Sequence, residues 1–551
     1  MVVTRGLAAI TRIELKRNDV IIIGASFVAI TISIVLYDLL NYFYALGIAA
    51  IGGMVVMSVL LRPILVRDAA KTDINSNIPY FMTAFATLSV SAANRIDILE
   101  ILSKKEKLGM IGEEIAKLVN LVKNWRRGLS EAAMFLSGRS PSEIFEDFLA
   151  RFGHAINSGQ DFEEFVETES ETVMNNFETT YMSALYTFDL YKDLYVSMLL
   201  SFAFLVTFIM IMPILIHINI IQVLSLSLLT IILGEALLVY GIKVVLPNDP
   251  IWHDTGIKTP LQLKIQQYTI LSVMSCFVLF IVSMLVSLWN ILPFYVVIAI
   301  IVTPLFVPGY VGSKAERIVA KKDEMFGSFI RSLAGSAAAR GNMIIDALKS
   351  IVLHDFGTLT VDIRALYRRL AYRINNMQSW KNFSADTGSH LIEVFSESFV
   401  ESVDLGANAD KAGSVVADNF DRVIRLRKRR HASVSSYTGV IYGITGGLAF
   451  SLAIAFGVLE IINKVFSTFN VSSLNSFGIF VSQPASSIFT IEAFIVTILL
   501  IHSFIAGTAL KFADGGKVVH GLHHFVIMTW IVTIVMYGTL QITTIILGGA
   551  I

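Results

Sequence analysis

A single cysteine, Cys276, stands in a chain of 551 residues, so no disulfide can form within the chain and no cysteine-based metal site is available. Charge is scarce too: 16% of the residues are Asp, Glu, Lys or Arg, against roughly 25% in an ordinary soluble protein. Acidic and basic residues balance at 43 each, which implies no global steering field, and no nucleic-acid partner is expected. The nucleotide-binding pattern G-x-x-x-x-G-K-[ST], the nucleophile elbow G-x-S-x-G and the zinc helix H-E-x-x-H are all missing. Gly515-Gly516-Lys517 lacks the leading glycine of a phosphate-binding loop and follows an apolar run rather than a strand. The expectation is a protein that is not an enzyme and carries no cofactor.

What the chain has in abundance is apolar sequence: 55% hydrophobic residues and a mean hydropathy of +0.68. Runs long enough to span a bilayer fall near 20–37, 41–61, 193–216, 219–242, 268–289, 291–309, 436–461, 489–510 and 524–547. With the N-terminus inside and nine spans, every lysine and arginine except Lys464 lies on the inner side. That distribution obeys the positive-inside rule and places the C-terminus outside. The first run follows Arg5, Arg12, Lys16 and Arg17, is too long for a signal-peptide core and has no clear cleavage site after it, so it reads as an uncleaved span. The expected protein is a multi-pass, all-α protein of the cell membrane. Its divisions are a tail and hairpin of spans (1–61), a first cytoplasmic helical domain (62–192), four spans (193–311), a second cytoplasmic helical domain (312–434) and three spans (435–551).

Both polar blocks read as helical, with no strand pattern. In the first, Asn77-Ile78-Pro79 is read as a helix start, followed by apolar Phe81, Phe85, Leu88, Ile96, Leu99 and Leu102. A break at Lys107-Leu108-Gly109 precedes a helix carrying Ile115, Leu118 and Leu121, ended by Gly128, and a short helix covers 129–137. Ser140-Pro141-Ser142-Glu143 fits a capping box with Ser140 as N-cap, ahead of the apolar face Ile144, Phe145, Phe148, Leu149 and Phe152. Gly159 breaks that helix, and a long one from about Asp161 is expected to run on into the third span.

The blocks read as copies. Phe81, Leu88 and Ser91-Ala92-Ala93-Asn94-Arg95 align with Phe326, Leu333 and Ser336-Ala337-Ala338-Ala339-Arg340, about 245 residues later. Each copy ends in a glycine-containing break (158–161 and 405–407) that leads into a helix entering the membrane.

Several stretches resemble one family. Asn77-Ile78-Pro79-Tyr80-Phe81-Met82-Thr83 through Leu88-Ser89, then Ser140 to Leu149, then Ala155-Ile156-Asn157-Ser158-Gly159-Gln160-Asp161, are similar to the helical domain of the type II secretion F superfamily. Phe512-Ala513-Asp514-Gly515-Gly516-Lys517 and His520-Gly521-Leu522-His523-His524 are similar to its archaeal, FlaJ-like branch, the membrane platforms of the archaellum and of archaeal type IV pili. The resemblance covers nearly the whole chain, and the second copy is the more divergent. It implies a homodimeric platform that contacts a cytoplasmic hexameric secretion-type ATPase and passes motion to pilin or archaellin subunits leaving the membrane.

The candidate partner residues come from charge. Arg422, Arg425, Arg427, Lys428, Arg429 and Arg430 cluster just before the seventh span, where they can hold anionic membrane lipids or dock the ATPase. Glu163, Glu164 and Glu167 belong to an acidic run, 161–171, at a helix start and offer the opposite charge. The first block holds 14 basic and 19 acidic residues and the second 19 and 14, so the blocks can attract each other or present complementary surfaces. Glu235 lies within the fourth span and is read as a carboxyl hydrogen-bonded to a neighbouring helix near the inner interface; His502 in the eighth span is read as alone and packed. His520, His523 and His524 have only Asp514 as a nearby acid and no sulfur, and are read as interfacial helix-start histidines rather than a metal site. On the outer face, Asn470-Val471-Ser472 is a glycosylation sequon; Asn382-Phe383-Ser384 is another but lies inside, so Asn470 is the only candidate for modification. A repeat-built secondary transporter is the alternative reading, opposed by the large polar blocks and by the rarity of charge in the spans.

Overall fold

The computed structural model describes residues 67–211, 220–468 and 486–548. The two apolar runs at 20–37 and 41–61, and Asn470 with its sequon, lie outside the described residues. Among the described residues seven helices are long and apolar enough to cross a membrane, and they coincide with the other seven predicted spans. Among the described residues there is no strand, only an isolated antiparallel bridge between Trp252 and Ser389.

The first polar bundle opens with α1 (67–89), followed by α2 (Arg95–Ser103), a 3-10 turn at Glu106–Leu108, α3 (Met110–Lys123), α4 (Leu129–Ser137) and α5 (Glu143–Ser158). It leads into α6 (Phe162–Ile211), which runs into the membrane without interruption. The spans α7 (Ile220–Val245) and α8 (Pro260–Leu285) follow, and α9 (Phe294–Val302) with a 3-10 turn at Thr303–Leu305 around Pro304 begins the next span. The chain leaves the membrane along α10 (Phe306–Ala338) into the second bundle: α11 (Ile344–Ile351), a 3-10 turn at Gly357–Leu359, α12 (Thr360–Ala371), α13 (Asn376–Thr387) and α14 (His390–Asp404). The order of elements is that of the first bundle. The last long helix, α15 (Ala409–Thr468), re-enters the membrane, and α16 (Ser486–Ala513) and α17 (Leu522–Gly548) complete the chain.

Local chemistry sets the boundaries. Ser142 caps α5 by accepting from the Phe145 amide, and Gly159 ends the same helix in the left-handed region at φ 73°. Thr259, Pro260 and Gln262 form a complete capping box at the start of α8. Three expectations shift. The helix at Asn77 already runs from residue 67, so Pro79 sits inside it rather than in its first turn. The N-cap expected at Ser140 is Ser142, because Ser140 spends its hydroxyl on the Ser142 backbone. Gly128 does not end α3, which stops at Lys123, but N-caps α4. A break at 90–94, where Asn94 caps α2, resets the helical phase, so Ile98 takes the core position and Ile96 is only half-buried.

The first core is a stack of phenylalanines: Phe81 and Phe85 of α1 interlock with Phe145, Phe148 and Phe152 of α5 at ring separations of 5.3–6.0 Å. Phe326, Phe329, Trp380, Phe383, Phe395 and Phe420 build the second. The long helices α6 and α15 lie parallel and side by side. Glu163 pairs with Lys411 (2.8 Å), Asn175 with Arg422 (2.7 Å), Asp189 with Ser433 (2.7 Å) and Thr207 with Ser451 (2.8 Å). These partners are 244 to 248 residues apart, so equivalent positions of the two copies face each other from the polar end into the membrane.

The bundles also meet through ion pairs whose sign reverses the net-charge expectation. Lys105 of the acidic copy reaches Glu401 (2.5 Å), and Lys107 reaches Glu397 (2.6 Å) and Glu393 (2.9 Å) of the basic copy. The three glutamates recur every four residues on one face of α14. Contacts a few ångströms long outweigh a small imbalance of surface charge that solvent screens.

Candidate functional site: the junction between the polar bundles and the spans

Arg427 and Arg430 lie one turn apart on α15 and point inward, where they clamp two loops. Arg427 holds both oxygens of Asp249 (Nε to Oδ1 2.9 Å, to Oδ2 2.8 Å), donates to the Pro250 carbonyl at 2.8 Å, and reaches Asp323 Oδ2 of α10 at 3.3 Å. Arg430 donates to the carbonyls of Ala513 (2.7 Å) and Pro247 (2.8 Å). The loop at 246–259 is thereby fixed to the C-terminal end of α16. The first loop is stitched further to both bundles: the Asn248 amide donates to Ser76 Oγ (2.9 Å), the His253 amide to the Gly388 carbonyl (3.1 Å), and the Asp254 amide to Glu393 (2.9 Å).

A second knot centres on Glu316 of α10, which is 3% exposed. It accepts from Lys511 Nζ (2.7 Å), His520 Nδ1 (2.5 Å), Trp252 Nε1 (3.1 Å) and the Lys517 amide (3.1 Å). The glycines of the 512–517 motif have a reason in this crowding. Gly515 has φ +82°, and a Cβ there would stand 2.5 Å from the Asp249 carbonyl oxygen; at Gly516 it would stand 2.7 Å from Glu316 Oε1.

The electrostatics of the two knots differ. Burial opposes ionisation of Glu316, but His520 and Lys511 outweigh it and hold the carboxyl at about 2. Asp249 behaves likewise: burial would raise its pKa, and Arg427 brings it below the ordinary carboxylate range. Asp323 shares the same guanidinium as the second acid, and burial, only partly offset by Arg427, pushes it up to about 7. Between its unfolded value of about 3.9 and this folded value, the folded chain binds the extra proton, so stability falls as pH rises through about 7. The slope from this one group reaches up to about 1.4 kcal/mol per pH unit. His431, raised through its hydrogen bond to Asp514, acts in the same direction, while His253, lowered by burial, opposes at the acid end. Asp323→Asn is expected to reduce the loss of stability between roughly pH 4 and pH 7, measured as thermal unfolding of the full chain in detergent. An unchanged slope would remove Asp323 from the account.

Inside the membrane, four spans converge on one carboxylate. Glu235 of α7 accepts from Tyr195 of α6 (2.7 Å) and lies 2.6 Å from His502 Nδ1 of α16, whose Nε2 meets Thr445 of α15 at 3.0 Å. Glu235, His502 and Thr445 have no exposed surface. Glu235 is bonded to neighbouring helices as expected, but His502 is not alone: it closes the pair across 267 residues of sequence.

The remaining predicted residues divide by helix phase. Arg425, Lys428 and Arg429 are exposed, with Lys428 paired to Glu324 at 2.7 Å, and Arg422 lies against α6 through Asn175. Glu163 pairs with Lys411, while Glu164 and Glu167 are exposed. The three histidines spend their rings on separate partners: His520 on Glu316, His523 on the His520 carbonyl (2.7 Å) and His524 on Tyr442 (2.6 Å). Sequence reasoning missed Asp249, Trp252, Glu316 and Asp323. A clue existed for two of them. Glu316 and Asp323 are seven residues apart on the face of α10 that carries Ala315, Val319, Phe326 and Ile330, and a carboxylate on an apolar face calls for a buried partner.

Comparison with known proteins adds a family. The profile of the type II secretion system protein F family matches residues 81–210, which cover most of the first polar bundle and the entry of α6 into the membrane. The flagella accessory protein J of Methanocaldococcus jannaschii is 35% identical over 504 residues, covering 90% of this chain and 89% of the relative. That of Methanococcus voltae is 34% identical over 500 residues, covering 89% of each. No solved structure matches the chain.

Proposed function

The chain belongs to the flagella accessory protein J family, and on that premise we propose that it couples a cytoplasmic hexameric ATPase to the insertion of pilin or archaellin subunits into a growing archaeal filament. The observation that carries the reading is mechanical. Among the described residues three helices, α6, α10 and α15, connect the polar bundles with the spans, and the Arg427 and Glu316 knots pin the intervening loops at the polar ends of the spans. A push or rotation applied to the bundles therefore reaches the spans through packed, hydrogen-bonded contacts. In this reading the bundles face the cytoplasm with the N-terminus, the C-terminus faces outward, and the platform works as a homodimer.

The ATPase surface is assigned to the outward residues Arg425, Lys428 and Arg429, with Glu164 and Glu167 on the adjoining helix. Arg427 and Arg430 serve the junction. Deleting the gene and imaging cells by negative-stain electron microscopy tests both parts. One class of surface filament is expected to vanish and to return with the wild-type gene. The triple variant Arg425→Glu, Lys428→Glu, Arg429→Glu is expected to accumulate in the membrane, fail to retain the ATPase in a pull-down, and leave cells bare. Persistence of all filaments after deletion would refute the platform role; full ATPase retention by the triple variant would refute only the docking surface.

A further inference from the structure

Where α8 and α17 begin, beside the Glu316 knot, a notch of about 340 Å³ opens at the polar ends of these two apolar helices. Its polar rim carries Lys258, Lys517 and Gln262, and its lower wall is made by Ile265, Gln266, Thr269 and Ile270 of α8, with apolar surface predominating. Both lysines are exposed, and among the described residues neither ammonium has an ion-pair partner. Lys517 Nζ stands 5.3 Å from the centre of the Trp252 ring, which holds the ammonium at the rim by a cation–π contact. Glu316, which accepts from the Lys517 amide, is already taken by Lys511 and His520. The notch thus has two unspent positive charges above, and an apolar wall below that continues along α8, where Ile270 is 56% and Leu271 61% exposed.

From this arrangement we infer that the notch is a binding site for one anionic membrane lipid of the leaflet next to the polar bundles. The phosphate of its headgroup sits between Lys258 and Lys517, with Gln262 as a hydrogen-bond donor. Its hydrocarbon chain lies along Ile265 and Ile270. A water-soluble phosphate would leave that apolar wall uncovered; a lipid satisfies both halves. The bound lipid bridges α8, a span whose outward face is largely exposed, to the loop that precedes α17. The assignment rests on the notch and not on the filament role.

Native mass spectrometry of the full chain, released from detergent micelles containing either phosphatidylglycerol or phosphatidylcholine, tests it. One tightly held phosphatidylglycerol per chain is expected, with phosphatidylcholine weaker. Lys258→Gln combined with Lys517→Gln is expected to weaken retention roughly thirtyfold, about fivefold for each lysine near a membrane surface. A control variant, Lys349→Gln with Arg364→Gln, removes two exposed charges of the second bundle, away from the notch, and is expected to retain the lipid. Should the double variant unfold, the two single variants carry the test with their fivefold losses. Equal retention by the notch variants and the wild type, equal binding of phosphatidylcholine, or displacement of the lipid by inorganic phosphate would each overturn the assignment.

Discussion

Arg427→Met should be the most damaging single substitution outside the membrane. It removes the one guanidinium that serves two buried carboxylates, Asp249 and Asp323, the latter only 3% exposed, and it also frees the Pro250 carbonyl. Breaking a buried pair from one side costs about 3–5 kcal/mol, because the remaining charge has nothing to replace its partner. Against a typical total stability of roughly 5–15 kcal/mol, the variant should unfold at a much lower temperature or fail to accumulate in the membrane. The diagnostic comparison is the triple variant Arg427→Met, Asp249→Asn, Asp323→Asn. With the carboxylates neutralised, most of the loss should be recovered in thermal unfolding of the detergent-solubilised chain. No recovery would mean that Arg427 acts through packing rather than charge. Arg430→Met should be milder, since it leaves two carbonyls rather than two carboxylates without a donor.

His502→Leu should have an effect of the same order inside the bilayer. It leaves Glu235 with Tyr195 as its remaining donor in a site with no exposed surface, and it deprives Thr445 of its contact with α16. The expected cost is again about 3–5 kcal/mol. The double variant His502→Leu, Glu235→Leu replaces the pair by two apolar side chains, and should be closer to the wild type than either single variant. That reversal separates a structural tie from a catalytic or transport pair, for which the double variant would retain no function even when stable. If filaments return in cells carrying the double variant, the tetrad of Tyr195, Glu235, Thr445 and His502 holds the spans together and does no chemistry.

Much of the fold was legible in the sequence because it rests on short-range rules. Apolar runs of about 20 residues give spans, and Gly159 and the 107–109 break punctuate the first bundle where the chain itself turns. Even the pairing of the copies was implicit, since the offset of about 245 residues in the alignment is the offset at which α6 and α15 touch. What could not be read is long-range. Arg427 and Arg425 are indistinguishable in a basic run; only the packing of α15 turns one toward Asp249, 178 residues earlier, and the other toward solvent. His502 looked solitary because its partner is on another span. The capping box at 140–143 failed for a subtler reason: two serines compete within three residues, and the one that bonds to a neighbouring backbone yields the cap to the other.

The paired helices α6 and α15 contain 50 and 60 residues and no proline, so at about 1.5 Å per residue they are rods of roughly 75 and 90 Å. An added residue in one rod would turn everything beyond it by about 100° and lift it by about 1.5 Å. Tyr195 would leave Glu235, and the contacts from Asp189 to Thr207 would slip out of step with Ser433 and Ser451. Only a matched insertion in the other rod would keep the two in step. The halves of the duplication are therefore bound to a common length while their side chains remain free to drift. Insertions and deletions in relatives should accumulate in the short connections of the bundles, and the rods should change length together or not at all.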